Sequence, residues 1–376
     1  MKNCMRKKTD QLSKELLCRA GITVDGPSKW DMQVHNTDTY QRILSHGNLG
    51  LGESYMDGWW DSEAIDEMIA KIISAKLDKE VKVTPGLILE YLKARVVNLQ
   101  NKNRAFLIGE KHYDVGNDLY KTMLDKRMVY TCAYFKDVDD LDLAQEAKLN
   151  LVCRKIGLKE NDKVLDIGCG FGSFAEYAAR HYGAKVVGIT VSKEQAKLAK
   201  KYTSGLPAEI RLQDYRDVNE KFDHIVSLGM IEHVGYRNYR TYMELAHKCL
   251  NDSGLFLIQT IGSLETSKAT DRWIEKYIFP NSLLPSLDYL AKSTEGLFVL
   301  EDLHNFGADY DKTLMAWYQN FTNGWNNIAN QYDQRFYRMW EYYLLSCAGT
   351  FRSRSNQLWQ IVLSKNGVPG GYISVR

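Results

Sequence analysis

Nowhere does this chain run apolar for the roughly 18 residues that a membrane-spanning helix needs, so a membrane would be met only from its surface. Its basic start, Met1-Lys-Asn-Cys-Met-Arg-Lys-Lys, is not followed by the apolar stretch of a secretory leader, which sets the expectation of a cytoplasmic protein. Charge of one sign is also lacking: Lys+Arg 49 against Asp+Glu 47 leaves +2, so bulk charge gives no reason to expect a nucleic-acid partner. The 7 cysteines (Cys4, Cys18, Cys132, Cys153, Cys169, Cys249 and Cys347) never form a C-x-x-C pair. They read as reduced thiols, with neither a disulfide framework nor a metal site. No internal repeat or low-complexity tract is found.

What is present is an ordinary folded composition, hydrophobic 44% and charged 26%, over 376 residues, enough for one large domain and a smaller one. Trp 8 and Tyr 23 are generous, and both residues suit surfaces that are half apolar and half wet. Up to about residue 100 the pattern is irregular, with glycines crowded around Gly52-Glu-Ser-Tyr-Met-Asp-Gly-Trp-Trp60. Ile65, Met68, Ile69, Ile72 and Ile73 mark one amphipathic helix; Leu89, Leu92, Val96 and Leu99 mark another. Lys93, Arg95, Lys102, Arg104 and Lys111 form a basic stretch, read either as a solvated helix face or as a patch for anionic headgroups. The expected division is an N-terminal domain over 1–96, a linker over 97–115 and a larger domain over 116–376.

From Asn161 onward, apolar strands alternate with helical stretches: Val164 to Ile167, Lys185 to Ile189, Glu209 to Leu212, His224 to Leu228 and Leu255 to Gln259. Such alternation predicts an α/β fold, a mostly parallel sheet with helices on both faces, beside a small mostly helical N-terminal domain. Ligands of such sheets bind beyond the carboxyl ends of the strands. Val164-Leu-Asp-Ile-Gly-Cys-Gly-Phe-Gly172 ends one strand and opens a helix, with Gly168, Gly170 and Gly172 spaced G-x-G-x-G and Asp166 just before. The loop lacks the fuller G-x-G-x-x-G pattern that cradles pyrophosphate. It looks like the class I methyltransferase loop that holds the methionine part of S-adenosylmethionine.

After the second strand, where many such enzymes place an acid on the ribose, this chain has Thr190, Ser192 and Gln195. Ser192-Lys-Glu-Gln195 also reads as a capping box, and both roles are open to Gln195. Gln213-Asp214-Tyr215 follows the third strand, and Asp214 is either a contact for the adenine amino group or a turn residue bonded to local backbone.

With His112-Tyr-Asp-Val-Gly-Asn117, Tyr130-Thr-Cys-Ala-Tyr134, Gly229-Met-Ile-Glu-His-Val-Gly235 and His304-Asn-Phe-Gly-Ala-Asp-Tyr310, these motifs resemble, essentially end to end, the bacterial cyclopropane-fatty-acyl-phospholipid synthases of the class I methyltransferase superfamily. The resemblance implies methylene transfer from S-adenosylmethionine to the cis double bond of phospholipid acyl chains, at the inner face of the cell membrane, by a homodimer. It adds Tyr130 and Thr131 to the cofactor residues. It also implies a bound bicarbonate as the base, with a shell of Cys132 through its backbone, Glu232, Gln259, Ile261 and Tyr310.

An alkene is a poor nucleophile, and attack leaves a carbocation that water would capture. The pocket must therefore hold the reactants in line and stay dry. Tyr134, Phe135, Tyr277, Phe279, Tyr310 and Trp317 are candidate aromatic faces for the cation, or simply core. Gln259 stands where the family pattern has His; an amide can donate a hydrogen bond but cannot relay a proton. Cys347 matches a cysteine proposed as a nucleophile in the family, although direct methyl transfer needs none. Two other readings fit the fold: a methyltransferase for a small amine, and a non-catalytic membrane-surface sensor of S-adenosylmethionine.

Overall fold

The computed structural model describes residues 2–77 and 116–376. The expected linker, the Leu89–Leu99 helix, the basic stretch and most of the His112 motif lie outside the described residues. The chain divides into two compact units. The first gathers the described residues up to 77 with Ala269–Pro280 and Tyr310–Asn356; the second holds the described residues from 116 to 268 with Asn281–Asp309 and Gln357–Arg376.

The first unit contains α1 (Lys2–Arg19), α2 (Asp38–His46), α3 (Asn48–Met56) and α4 (Ile65–Ser74), with a two-stranded ribbon of β1 (Gln33–Val34) and β2 (Trp60–Asp61). The apolar stripe read from Ile65 to Ile73 is α4. Three later helices serve this unit: α10 (Arg272–Tyr277), most of α12 (Ala308–Gly324), and α13 (Gln334–Arg352). The glycines of the Gly52 motif permit close packing. A Cβ at Gly52 would sit 2.4 Å from Trp273 and 2.8 Å from Tyr342, and one at Gly349 of α13 would lie 2.6 Å from the Asp66 carbonyl on α4.

The second unit opens with α5 (Asn117–Met123) and α6 (Leu141–Lys155), which leads into β3 (Lys163–Ile167). There follow α7 (Ser173–Tyr182), β4 (Lys185–Thr190), α8 (Lys193–Tyr202), β5 (Ala208–Leu212), β6 (Phe222–Leu228), α9 (Tyr239–Cys249), β7 (Leu250–Ser263), α11 (Leu287–Thr294), β8 (Val299–Asn305) and β9 (Asn356–Ser364). The seven strands are ordered β5-β4-β3-β6-β7-β9-β8. Pairs β5/β4, β4/β3, β3/β6 and β6/β7 are parallel, and β8/β9 is antiparallel. Every strand expected from the apolar runs is present, four of them within a residue or two, whereas β7 extends well beyond the expected Leu255–Gln259 at both ends.

Alternate residues of each strand feed two cores. Val164, Val226, Leu255, Leu257 and Val362 pack with Leu149 and Cys153 of α6 and with α7. Leu165, Ile225, Phe256, Ile258 and Ile361 pack with Tyr239, Tyr242 and Met243 of α9. Some helix starts are fixed by a local side-chain cap, as where Asp140 accepts from Leu143 N at 3.0 Å before α6.

Candidate functional site

The glycine loop leaves β3 where the strand order reverses, between β4 and β6, and runs into α7. Its three glycines all have positive φ, +79, +55 and +84°, a region that a side chain disfavours. At Gly168 a Cβ would collide with Met230 at 2.6 Å, and at Gly172 with Ala199 at 2.9 Å; at Gly170 it would meet nothing within 4 Å. Two of the glycines are thus required by packing, whereas Gly170 borders open space that a ligand can fill. Gly168 N and Cys169 N both donate to the Ile189 carbonyl at 3.0 Å, fastening the loop to the end of β4.

Beneath the loop Asp166 is buried, with Oδ2 lacking any hydrogen-bond partner among the described residues. Burial pushes its carboxyl up to about 7, against the opposing pull of Lys148. At the end of β4, Ser192 Oγ accepts from Gln195 N at 3.3 Å, so the cap expected at α8 forms. The return half of the box does not: Ser192 N donates to Thr190 Oγ1 at 3.2 Å, and Thr190 Oγ1 donates to Gln195 Oε1 at 2.8 Å. The Gln195 amide therefore keeps its two N–H donors, suited to ribose hydroxyls. Asp214 accepts from Arg216 N at 2.9 Å and from its guanidinium at 3.0 Å, the local turn use open to it from the sequence. Gln213 N donates to the Thr190 carbonyl at 2.9 Å, and Tyr215 is buried behind the turn.

Before α6, Tyr130 sets its ring edge-on to Tyr120 at 5.1 Å. Two buried α6 side chains grip Thr131: Lys148 Nζ donates to its hydroxyl at 3.0 Å and Gln145 Nε2 to its carbonyl at 2.8 Å. Neither Gln145 nor Lys148 was among the residues singled out from the sequence. A lysine and a glutamine three positions apart on a helix read as solvated face, and only burial reveals their task.

The second cluster lies past β6 and along β7. Glu232 is buried in a short helical turn, Ile231–His233. Its Oε1 accepts from Ile261 N at 2.8 Å, while Oε2 is buried without a partner among the described residues. Burial pushes Glu232 up to about 7, resisted by the backbone donors beside it and by the neighbouring Thr260 hydroxyl. Gln259, also buried, donates to the Cys132 carbonyl at 3.5 Å, and its Oε1 accepts from Gln360 Nε2 at 2.9 Å. The structure thus brings together Cys132, Glu232, Gln259 and Ile261 in the second unit. Tyr134 packs edge-on to His304 at 5.6 Å and to Phe306 at 5.2 Å, and Phe135 N donates to Asp309 at 2.9 Å.

Tyr310 and Cys347 stand on α12 and α13 of the first unit. Tyr310 lies 4.5 Å from the Phe351 ring and 6.0 Å from that of Trp317. Burial pushes the Cys347 thiol up to about 12, which disfavours the thiolate a nucleophile needs. Tyr277 donates to Glu53 at 2.9 Å, and Phe279 packs edge-on to Tyr343. No group of residues able to hold a metal ion occurs among the described residues.

A reversal-point glycine loop, an adjoining polar helix start and a buried acid past the fourth parallel strand define a class I S-adenosylmethionine-dependent methyltransferase. Residues 100–361 match the model of the mycolic acid cyclopropane synthetase family, and the chain belongs to that family. It is 51% identical to the cyclopropane-fatty-acyl-phospholipid synthase of Escherichia coli K12, over 96% of this chain and 94% of that one. It is 32% identical to the tuberculostearic acid methyltransferase UfaA1 of Mycobacterium tuberculosis, over 89% and 83% of the two chains. A solved mycolic acid cyclopropane synthase, CmaA1 complexed with SAH and CTAB, superposes with a TM-score of 0.65 at 31% identity, covering 69% of this chain and 98% of its own.

Proposed function

We propose that the chain is a cyclopropane-fatty-acyl-phospholipid synthase that adds a methylene, drawn from S-adenosylmethionine, across the cis double bond of an unsaturated acyl chain, with a bound bicarbonate as base. The observation that carries the reading is the buried acid Glu232, tied by one oxygen to Ile261 N and left open at the other.

The residues present fit both small molecules. Open space at Gly170 and the spare Gln195 amide donors suit the cofactor, with Asp214 close to the same strand ends. An anion beside Glu232 would be repelled by a carboxylate, but a carboxyl raised to about 7 can keep its proton and donate it in a hydrogen bond. Gln259 adds amide N–H and no proton chemistry, so it positions and does not relay. Bound there, bicarbonate would supply the proton acceptor that ring closure needs. Glu232, Gln259 and the Cys132 carbonyl would hold that acceptor in place, and the burial of all three excludes the water that would quench a carbocation. Transfer to an alkene needs no covalent enzyme intermediate, so Cys347 has no step.

Substrate in the bilayer requires the protein to reach it from outside. Among the described residues no helix is long and apolar enough to cross a membrane. Peripheral docking on the phospholipid surface, and pairing of two subunits through the N-terminal domain expected over 1–96, complete the proposal. Incubation with S-adenosylmethionine and vesicles of unsaturated phospholipid should leave the protein floating with the vesicles. Acyl-chain mass should rise by one methylene, with a rate that falls when bicarbonate is removed. An unchanged acyl mass, or a methylated small amine in its place, would overturn the reading.

A further inference from the structure

Gln360 is completely buried in β9, the strand beside β7, and it lies on the sheet face that carries Val362, Leu255 and Leu257. Its only side-chain hydrogen bond among the described residues runs from Nε2 to Gln259 Oε1 at 2.9 Å, and its own Oε1 is buried without a partner there. A buried glutamine that leaves half of its amide unpaired is costly to a core that a Leu or Met would fill better. Its orientation is nevertheless fixed from outside. The Cys132 carbonyl can only accept, so the Gln259 amide nitrogen must face it; Gln259 Oε1 must then face β9, and only a donor from Gln360 satisfies it.

We propose that Gln360 is a positioning residue of the active site, holding the Gln259 amide in the one rotation that presents its N–H groups to the Cys132 carbonyl and to the anion beside Glu232. The inference rests on the bicarbonate reading above. Without the Gln360 donor, the Gln259 side chain can turn over and offer its oxygen to an anion that requires a hydrogen. An imidazole in place of Gln259 would carry its own donor and would need no such partner. An amide, with a donor at one end and an acceptor at the other, needs one.

The test uses the full-length enzyme on unsaturated phospholipid vesicles, with bicarbonate titrated into carbonate-depleted buffer. Gln360→Met, close in size, should raise the apparent KM for bicarbonate about tenfold, the effect of losing one buried hydrogen-bond donor, with affinity for S-adenosylmethionine within twofold of the parent. Gln360→Leu, which likewise carries no donor, should do the same if the Met variant folds poorly. In a Gln259→Ala background neither substitution should have any further effect on the bicarbonate requirement, because the partner through which Gln360 acts is gone. A bicarbonate KM at the parental value in both single variants overturns the inference, as does an undiminished effect in the Gln259→Ala background. A parent enzyme indifferent to bicarbonate would overturn the anion site itself and this inference with it.

Discussion

Two buried polar centres of the second unit are each built around one acid and treat that acid in opposite ways. Around Asp302 of β8, every charge meets its opposite. Lys155 Nζ lies 3.5 Å away, Arg376 donates to both carboxylate oxygens at 2.6 and 2.7 Å, and Ser374 adds a hydroxyl at 2.9 Å. Burial alone would raise Asp302, but these donors hold it below the usual carboxylate range. Around Glu232 no cation is paired with the acid among the described residues; one oxygen has a backbone donor, the other has none there, and the acid is raised to about 7. A structural centre saturates its lone pairs, whereas, on the proposed function, the catalytic centre leaves one for its anion. The cost of the second arrangement is tolerable only because the rest of the unit is well packed.

The largest expected effect falls on the unsaturated centre. Glu232→Gln keeps shape and removes the exchangeable proton, so activity on vesicles should drop by roughly a thousandfold, in the range of lost acid–base groups, while S-adenosylmethionine binding is retained. Loss of cofactor affinity in parallel would mean that the two clusters are one site. The saturated centre should behave in the reverse way. Asp302→Asn leaves the fully buried Lys155 ammonium without its anion and should lower unfolding stability by about 3 kcal/mol in urea, with turnover at 25 °C nearly unchanged.

The contrast also marks what could be read from the sequence. Apolar runs set the strands because a parallel sheet buried on both faces has no polar alternation to blur them. Glu232 and the glycines could be found because they are contiguous motifs at strand ends, and the Cys132 segment because it is one contiguous motif before α6. Gln145, Lys148 and Gln360 could not, since each looks like ordinary surface chemistry until the fold buries it. Nor does anything in the order of residues announce that Ala269–Pro280 and Tyr310–Asn356 fold with the first unit. Their signals are small local ones, such as Gly349 permitting α13 to touch the Asp66 carbonyl, and such close approaches depend on a partner far away in the chain.

The pH dependence of stability separates the centres next. Glu232 is raised from 4.5 to about 7 on folding, so the folded state favours its protonated form. The associated stability is full below pH 4.5 and is lost as pH climbs through 7; Asp166, raised from 3.8 to about 7, acts in the same direction. Glu232→Gln, which cannot ionise, should match the parent at pH 4 and exceed it by up to about 3 kcal/mol at pH 8, read from urea midpoints at the two values. An equal gap at both pH values would show that Glu232 is not carrying a retained proton. The variant that destroys activity should therefore be the more stable protein in alkaline buffer.

The smallest effect tests redundancy. Ser374 gives Asp302 one neutral hydrogen bond, but the same oxygen also receives Arg376 Nη2 at 2.7 Å, so no lone pair is stranded when the hydroxyl goes. Ser374→Ala should cost about 1 kcal/mol at most and leave activity, bicarbonate dependence and cofactor affinity at parental values. A larger loss would place Asp302 closer to the condition of Glu232 than its partners suggest. Saturation would then not be what separates a structural acid from a working one in this fold.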